Sequence, residues 1–266
     1  MPFGLANTPA TLQNMMHEIV QDIIDLGVII YLYDIFIYSE KEADHIILVM
    51  HVLSRHQEYK LVIAPEKYKW HKSRVSFLDY IISADGVEID WEKIKIVLEW
   101  DALETGKDIQ SFLGFRNFYR QFIQGYSMLT RPLTNLTKKS EKFFYSTEYG
   151  KVFQELKSRF TSAPILRHFD PHLPYIIEYD TSDFAISTIL LQKYDGCLHP
   201  VAFHSWKMNK HEIKYDIHWH DKELLAITSV VKEWRWYLKG TRDNIIVYMD
   251  YRGLEWFTQN KLLNQR

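Results

Sequence analysis

Gly27-Val28-Ile29-Ile30-Tyr31-Leu32-Tyr33-Asp34-Ile35-Phe36-Ile37-Tyr38 holds two short runs of β-branched and aromatic residues with a break between them. Each run is too short for an independent helix, and this composition suits a pleated, half-buried surface, so the stretch predicts a strand, a tight turn and a second strand. Asp34 then falls at the exposed tip of a hairpin between two apolar strands. A single aspartate in a turn has an ordinary explanation, because its side chain bonds its own backbone, so Asp34 alone proves nothing about chemistry.

The surroundings extend the pattern. Thr8 and Pro9 mark the entry of a helix running toward Asp25, with Met15, Ile19 and Ile23 on one face. Residues 43–59 repeat apolar positions at helical spacing, with Ile46, Val49, Met50 and Leu53 facing a core, and residues 61–63 and 75–83 read as strands extending the hairpin's sheet. Residues 1–88 thus form an α+β unit. Residues 89–163 turn helical, over 92–100, 107–123 and 148–160, the last with Val152, Phe153, Leu156 and Phe160 on one face. Residues 164–266 alternate differently: strands at 175–179, 185–192 and 201–205, a helix at 221–238 and a strand at 244–249, the beginning of an α/β sheet.

In this last part three acids stand at element ends. Asp180 closes a strand in Glu178-Tyr179-Asp180-Thr181-Ser182-Asp183, Glu223 opens a helix, and Asp250 closes the strand Ile245-Ile246-Val247-Tyr248-Met249. Each has a plain reading as a turn or first-turn charge. Taken together they are hard anionic oxygens of the kind that hold Mg²⁺ while leaving room for water and phosphate. His211, His218 and His220 read as a loop, because spacing fixes no further ligand near them.

Composition narrows the rest. With 266 residues, 47% of them hydrophobic, the chain is long enough for two domains and their cores. The most apolar stretch, 23–38, is broken by Asp25 and Asp34, and no basic segment followed by an apolar one opens the chain, so neither membrane insertion nor secretion is expected. One cysteine, Cys197, makes no internal disulfide and suits a reducing, intracellular setting in cytoplasm or nucleus. Taken over the whole chain the net charge of −2 argues weakly against nucleic-acid binding, but Lys107, Arg116, Arg120, Arg131, Lys138, Lys139 and Lys142 face only Asp108 and Glu141, with aromatics between them. Such a run is either a solvated helix face or a surface for phosphates.

Beyond these readings, several segments resemble the reverse transcriptase and ribonuclease H polyprotein of gypsy-type LTR retrotransposons. The resemblance rests on Pro2-Phe3-Gly4-Leu5-Ala6-Asn7-Thr8-Pro9-Ala10-Thr11-Leu12-Gln13, on the hairpin, on Pro65-Glu66-Lys67, on Phe77-Leu78-Asp79-Tyr80, and on Ser111-Phe112-Leu113-Gly114-Phe115-Arg116-Asn117-Phe118-Tyr119-Arg120. It implies a partial polymerase palm over 1–88, a helical thumb and connection over 89–163, and a truncated ribonuclease H-like domain over 164–266. The implied activities are RNA-directed DNA polymerase and ribonuclease H. Asp34, Asp180, Glu223 and Asp250 would be the metal ligands for Mg²⁺ or Mn²⁺, Lys67 a general acid, and Gly4 and Gln13 the nucleotide-side contacts. Phe77 and Leu78 would form the primer grip, and Arg116 and Arg120 would meet the duplex backbone. The implied partners are an RNA–DNA hybrid or primer–template duplex and other parts of a retroelement polyprotein.

The sequence also departs from that family. Tyr33 stands where the first of two hairpin aspartates is usual, and Asp79 where a glycine is usual. Two extra residues around Trp219 and His220 precede the metal-bearing helix, an insertion that is expected to threaten the placement of Glu223. The family's upstream aspartate and fourth ribonuclease H acid are expected to lie before Met1 and after Arg266. The expectation is therefore an impaired polymerase, with a non-catalytic nucleic-acid-binding remnant as the alternative.

Overall fold

The structure, a computed structural model, describes residues 7–138, 146–182, 184–209, 212–213, 219–239 and 246–249. Two compact units divide the chain, Met1–Phe77 and Leu78–Arg266.

In the first unit α1 (Thr8–Ile19) takes Pro9 in its opening turn, where a missing N–H costs nothing. A 3-10 turn, Ile24–Leu26, leads into β1 (Val28–Tyr31), which pairs antiparallel with β2 (Asp34–Ile37) in the register Val28↔Ile37 to Tyr31↔Asp34. The expected hairpin is therefore present, closed by the two-residue loop Leu32-Tyr33. Gly27 opens it at φ 109°, and a Cβ there would collide with the Tyr38 carbonyl, whose own residue donates its N–H to Gly27 at 2.9 Å. After β2 come α2 (Glu42–Glu58), a 3-10 turn over Pro65–Lys67, and β3 (Arg74–Phe77).

Several details differ from the sequence reading. The apolar face of α1 is Met16 and Ile19, continuing to Val20 and Ile23, while Met15 is exposed. In α2 the buried side is Leu48, Val49, Val52 and His56, with Ile46 and Met50 in solvent. Five consecutive apolar residues, 46–50, cover every side of that helix, so their periodicity could not choose a face. Residues 61–63 form no strand, and β1 with β2 makes a two-stranded sheet. The run 75–83 breaks at Leu78 and Asp79, whose φ values of 50° and 64° are left-handed.

In the second unit β4 (Tyr80–Ser83) and β5 (Gly86–Ile89) form an antiparallel hairpin ahead of α3 (Trp91–Leu98). α4 (Gly106–Asn117) starts in a reciprocal cap, with Thr105 Oγ1 accepting the Asp108 N–H at 3.2 Å and the Asp108 carboxylate accepting the Thr105 N–H at 2.8 Å. A 3-10 turn, Arg120–Phe122, ends what was expected as one long helix. α5 (Tyr126–Leu136) and α6 (Thr147–Thr161) follow.

Then β6 (Tyr175–Thr181), β7 (Ala185–Tyr194) and β8 (Cys197–Lys207) run antiparallel, α7 (Trp219–Glu233) and α8 (Arg235–Leu238) cover one face, and β9 (Ile246–Met249) returns parallel to β6. The spatial order is β8-β7-β6-β9, with β9 parallel at one edge after a helical crossover.

The cores explain why α3 to α6 and this sheet form one unit. Ile109, Phe112, Tyr119, Leu133, Leu156 and Phe160 are packed with Leu166 and Phe203, so helix and sheet residues share one apolar cluster. The N-terminus of α5 is also tied to the sheet: Gly125 N–H donates to Ser187 Oγ at 3.1 Å, and Ser127 N–H to Ser205 Oγ at 2.9 Å. Among the described residues no helix is long and apolar enough to cross a membrane.

Candidate functional site

The hairpin tip is built around its one carboxylate. Leu32 adopts φ 53°, a strained value for a branched side chain. Gln13 on α1 supports it: its Nε2 donates to the Ile30 carbonyl at 3.0 Å and its Oε1 accepts the Leu32 N–H. Gln13 Nε2 also lies 2.6 Å from His17 Nε2. The side chain expected to touch a nucleotide is thus occupied in holding the turn that presents Asp34, which is exposed at the start of β2. Phe77 likewise is not an open surface ring. It stacks on Phe36 of β2 at 5.1 Å, and Phe36 stacks on Tyr38 at 5.8 Å. Lys67 is exposed at the end of its 3-10 turn, and Leu78 is half-buried. Gly4 lies outside the described residues.

Asp79, in the left-handed turn, meets a cation from α3: Lys93 Nζ lies 3.0 Å from its carboxylate. The charge that stands in place of a glycine is therefore neutralised locally, at a partly exposed ion pair of modest strength.

The second carboxylate group sits on the four-stranded sheet. Asp180 is exposed near the end of β6, opposite Ser187 of β7. After it, Ser182 Oγ donates to the Ala185 carbonyl and accepts the Ala185 N–H at 2.9 and 3.1 Å, turning the chain sharply into β7. Glu223, in the second turn of α7, is 6% exposed. One helical turn later Ala226 packs on Tyr179, Ile186 and Met208, so Glu223 shares the helix face turned to the sheet. Burial pushes the Tyr179 hydroxyl pKa up, and the neighbouring Glu223 charge pushes it further.

The face of α7 that carries Glu223 thereby lies against Tyr179, the residue before Asp180 in β6. Trp219 and His220 lie within the helix backbone, so the two extra residues lengthen α7 at its start and leave Glu223 on the sheet-facing side. β9 pairs with β6 up to Met249 opposite Tyr179; Asp250, His211 and His218 lie outside the described residues. Asp180 and Glu223 are both carboxylate donors, the chemistry that suits Mg²⁺. Among the described residues no three His, Cys, Asp or Glu side chains are grouped so as to hold a metal.

For the basic stretch the structure separates residues the sequence had grouped. Arg116 is a correction: it is 0% exposed, its guanidinium lies over the rings of Phe112 and Phe160 at 4.4 and 5.1 Å, and Nη2 donates to the Leu156 carbonyl at 2.6 Å. Burial pushes its pKa down to about 9, which leaves it cationic at neutral pH. It faces the helical core, where no duplex reaches. Four-residue spacing carried this signal, since Arg116 follows Phe112 by one turn on the buried face of α4 that also holds Ile109. Arg120, by contrast, is exposed, and it borders a pocket of about 400 Å³ together with Arg131 and Lys207. Lys207 was not singled out from sequence, because it stands alone at the end of a strand.

These elements define a class, a polymerase-type hairpin unit followed by a helical and ribonuclease H-like unit, and the relatives agree with it. Residues 1–117 match the family described as reverse transcriptase (RNA-dependent DNA polymerase), and residues 145–247 match the RNase H-like domain found in reverse transcriptase. Residues 1–117 thus belong to the reverse transcriptase family, and residues 145–247 to the RNase H-like domain that accompanies it. The chain is 35% identical over 255 residues to the transposon Tf2-3 and Tf2-7 polyproteins of Schizosaccharomyces pombe, covering 96% of this chain and 19% of each of them. The chain thus spans about a fifth of the length of these curated relatives.

In fold it is similar to a foamy viral protease-reverse transcriptase solved in complex with double-stranded DNA, with TM-score 0.83, 22% identity and coverage of 98% of this chain and 45% of that one. A foamy viral protease-reverse transcriptase in complex with RNA/DNA hybrid gives TM-score 0.76 at 21% identity, covering 99% of this chain and 36% of that one.

Proposed function

We propose that this chain is the RNA–DNA-handling part of a retroelement polyprotein whose remaining chemistry resides in its ribonuclease H-like sheet. The observation that carries the reading is the buried Glu223 on the face of α7 turned to β6, beside Tyr179 and the strand bearing Asp180. Asp180 and Glu223, joined by Asp250, would hold Mg²⁺ or Mn²⁺. Such an ion supplies a Lewis acid that lowers the pKa of an attacking water and neutralises charge on the scissile phosphate. Glu223, held by its helix, fixes the direction in which its carboxylate faces. Asp180, exposed at the strand end, is the acid that solvent and a phosphodiester can reach. The substrate class is the RNA strand of an RNA–DNA hybrid, and the setting is intracellular.

At the hairpin, Tyr33 leaves Asp34 as the one tip carboxylate, and the polymerase activity is proposed to be impaired there. In two-metal transfer, clustered carboxylates would hold the cations that offset the charge building on the transferring phosphate, and an uncharged phenol is a poor ligand for such ions. Lys67 remains the proposed proton donor.

The test is Mg²⁺-dependent cleavage of a labelled RNA–DNA hybrid by the purified chain, with primer extension run in parallel and Asp180→Asn as control. Cleavage abolished in the control supports the reading. A folded sample that binds hybrid with strong salt dependence but never cuts it would instead support the non-catalytic binder, a reading favoured by the exposed cations around Arg120.

A further inference from the structure

We propose that the pocket between α4, α5 and the end of β8 is a binding site for a phosphate group. Its volume is about 400 Å³, within the size of small-ligand sites and larger than a lone phosphate needs, so an attached sugar also fits. Three cations border it, Arg120, Arg131 and Lys207, and none of the lining residues is acidic. None of the three cations has a carboxylate partner among the described residues.

Hydroxyl groups on the wall are already committed. Thr130 Oγ1 donates to the Tyr126 carbonyl at 2.9 Å, Thr134 Oγ1 to the Thr130 carbonyl at 2.8 Å, and Ser127 Oγ to the Ser205 carbonyl at 2.9 Å. The donors left for a ligand are the two guanidinium groups, the Lys207 ammonium and the Asn117 amide, which select by charge. Arg131 is also held in place: its guanidinium stacks on Phe184 at 3.5 Å, which occupies one face and leaves its in-plane N–H groups to fork onto an anion.

An anion that satisfies three uncompensated cations carries more charge than one carboxylate. A phosphate monoester does so by itself, and a nucleic-acid strand does so by presenting phosphates in succession. The two sources share one chemistry. The strand source rests on the nucleic-acid reading given above, and the free-nucleotide source does not.

The experiment uses the whole chain and four variants. Arg120→Gln and Lys207→Gln remove exposed cations. Gly114→Leu fills the pocket without changing charge, since a Cβ at Gly114 meets no atom within 4 Å. Lys193→Gln is the charge control: it pairs opposite Leu198, whereas Lys207 pairs opposite Ala185, eight residues or about 26 Å along the strand. Duplex affinity is measured from 50 to 200 mM salt, and melting temperature is measured with pyrophosphate against chloride at equal ionic strength.

If a strand phosphate is the ligand, each pocket cation variant lowers the salt slope by about 1 and Gly114→Leu weakens duplex binding, while the control does neither. If a free nucleotide is the ligand, pyrophosphate raises the melting temperature of the wild type and of Lys193→Gln but not of the three pocket variants, with duplex binding unaffected by them. A wild type that ignores duplex yet gains stability from pyrophosphate overturns the nucleic-acid reading and keeps the pocket. Pocket variants indistinguishable from Lys193→Gln in both measurements overturn the proposal.

Discussion

Replacing Arg116 by methionine should leave the second unit as stable as the wild type or more so. The guanidinium gains a charge-assisted bond to the Leu156 carbonyl, on the order of 1.5–3 kcal/mol, and two ring contacts of roughly 0.5–2 kcal/mol each. Against this stands the transfer of a full charge out of water, which costs several kcal/mol even after relaxation. That cost is not offset elsewhere. Nε and Nη1 are buried without a hydrogen-bond partner among the described residues, and the Lys157 charge that feels Arg116 across the core is like-signed. Lys157 is itself pushed down in pKa by burial and then by Arg116, while its Nζ donates to the Leu98 and Trp100 carbonyls at 3.0 and 2.6 Å.

Methionine keeps an unbranched chain between Phe112 and Phe160, contributes about 1.5–3 kcal/mol of apolar burial, and adds sulfur-ring contacts of roughly 0.3–1.5 kcal/mol. Alanine would leave a void, so Arg116→Ala should fall about 2–5 kcal/mol below Arg116→Met. Urea unfolding followed by far-UV circular dichroism reads both. A methionine variant that loses more than about 3 kcal/mol with an unchanged m-value would refute the reasoning, because the charge would then be net stabilising.

Other consequences follow from named contacts. Gly114→Ala should raise stability by about 0.8–1.0 kcal/mol, since Gly114 sits exposed inside α4 with nothing near its missing Cβ; a lower melting temperature would contradict that. Gln13→Leu should cost the first unit roughly 1–3 kcal/mol by orphaning the Leu32 N–H and the Ile30 carbonyl, seen as faster amide exchange at Leu32. Tyr126 is buried and its pKa is raised to about 12, chiefly by burial, so its neutral form is favoured in the fold. Unfolded tyrosine ionises near pH 10 while the folded one keeps its proton to about 12. Its contribution is therefore complete below pH 10 and lost as pH rises to 12, two units or up to about 2.7 kcal/mol. Alkaline unfolding in that window should weaken in Tyr126→Phe, and an identical profile would count against it.

How much of this was legible in the sequence depended on what each residue's neighbours were. The hairpin was, because β-branched runs flanking a polar tip admit few other conformations, and so was the order of strands and helix that makes the four-stranded sheet. The buried face of α2 was not, since residues 46–50 are apolar on every side and only the position of Leu48 and Val52 against β1 decides it. Leu78 and Asp79 hid a turn: Asp tolerates positive φ but Leu seldom adopts it, and the strand on each side reads as one run. The Lys93 ion pair that accompanies this turn lies fourteen residues away from Asp79, outside any local window.

The sites divide along the same line. Acids at strand ends and at a helix start advertise themselves locally, which is why Asp180 and Glu223 could be picked out. A basic stretch does not say which of its members are buried: spacing put Arg116 and Arg120 four residues apart, yet the helix ends between them. Arg116 stays in register with Phe112 and turns into the core, while Arg120 begins the 3-10 turn Arg120–Phe122 and emerges into solvent. The residue that completes the cationic pocket, Lys207, comes from a strand nearly ninety positions further on. Only the packing of α5 on β7 and β8, fixed by Ser127, Ser187 and Ser205, brings it there. Position along a helix thus separates a structural arginine from a ligand-facing one, and tertiary docking of three serines supplies the third charge.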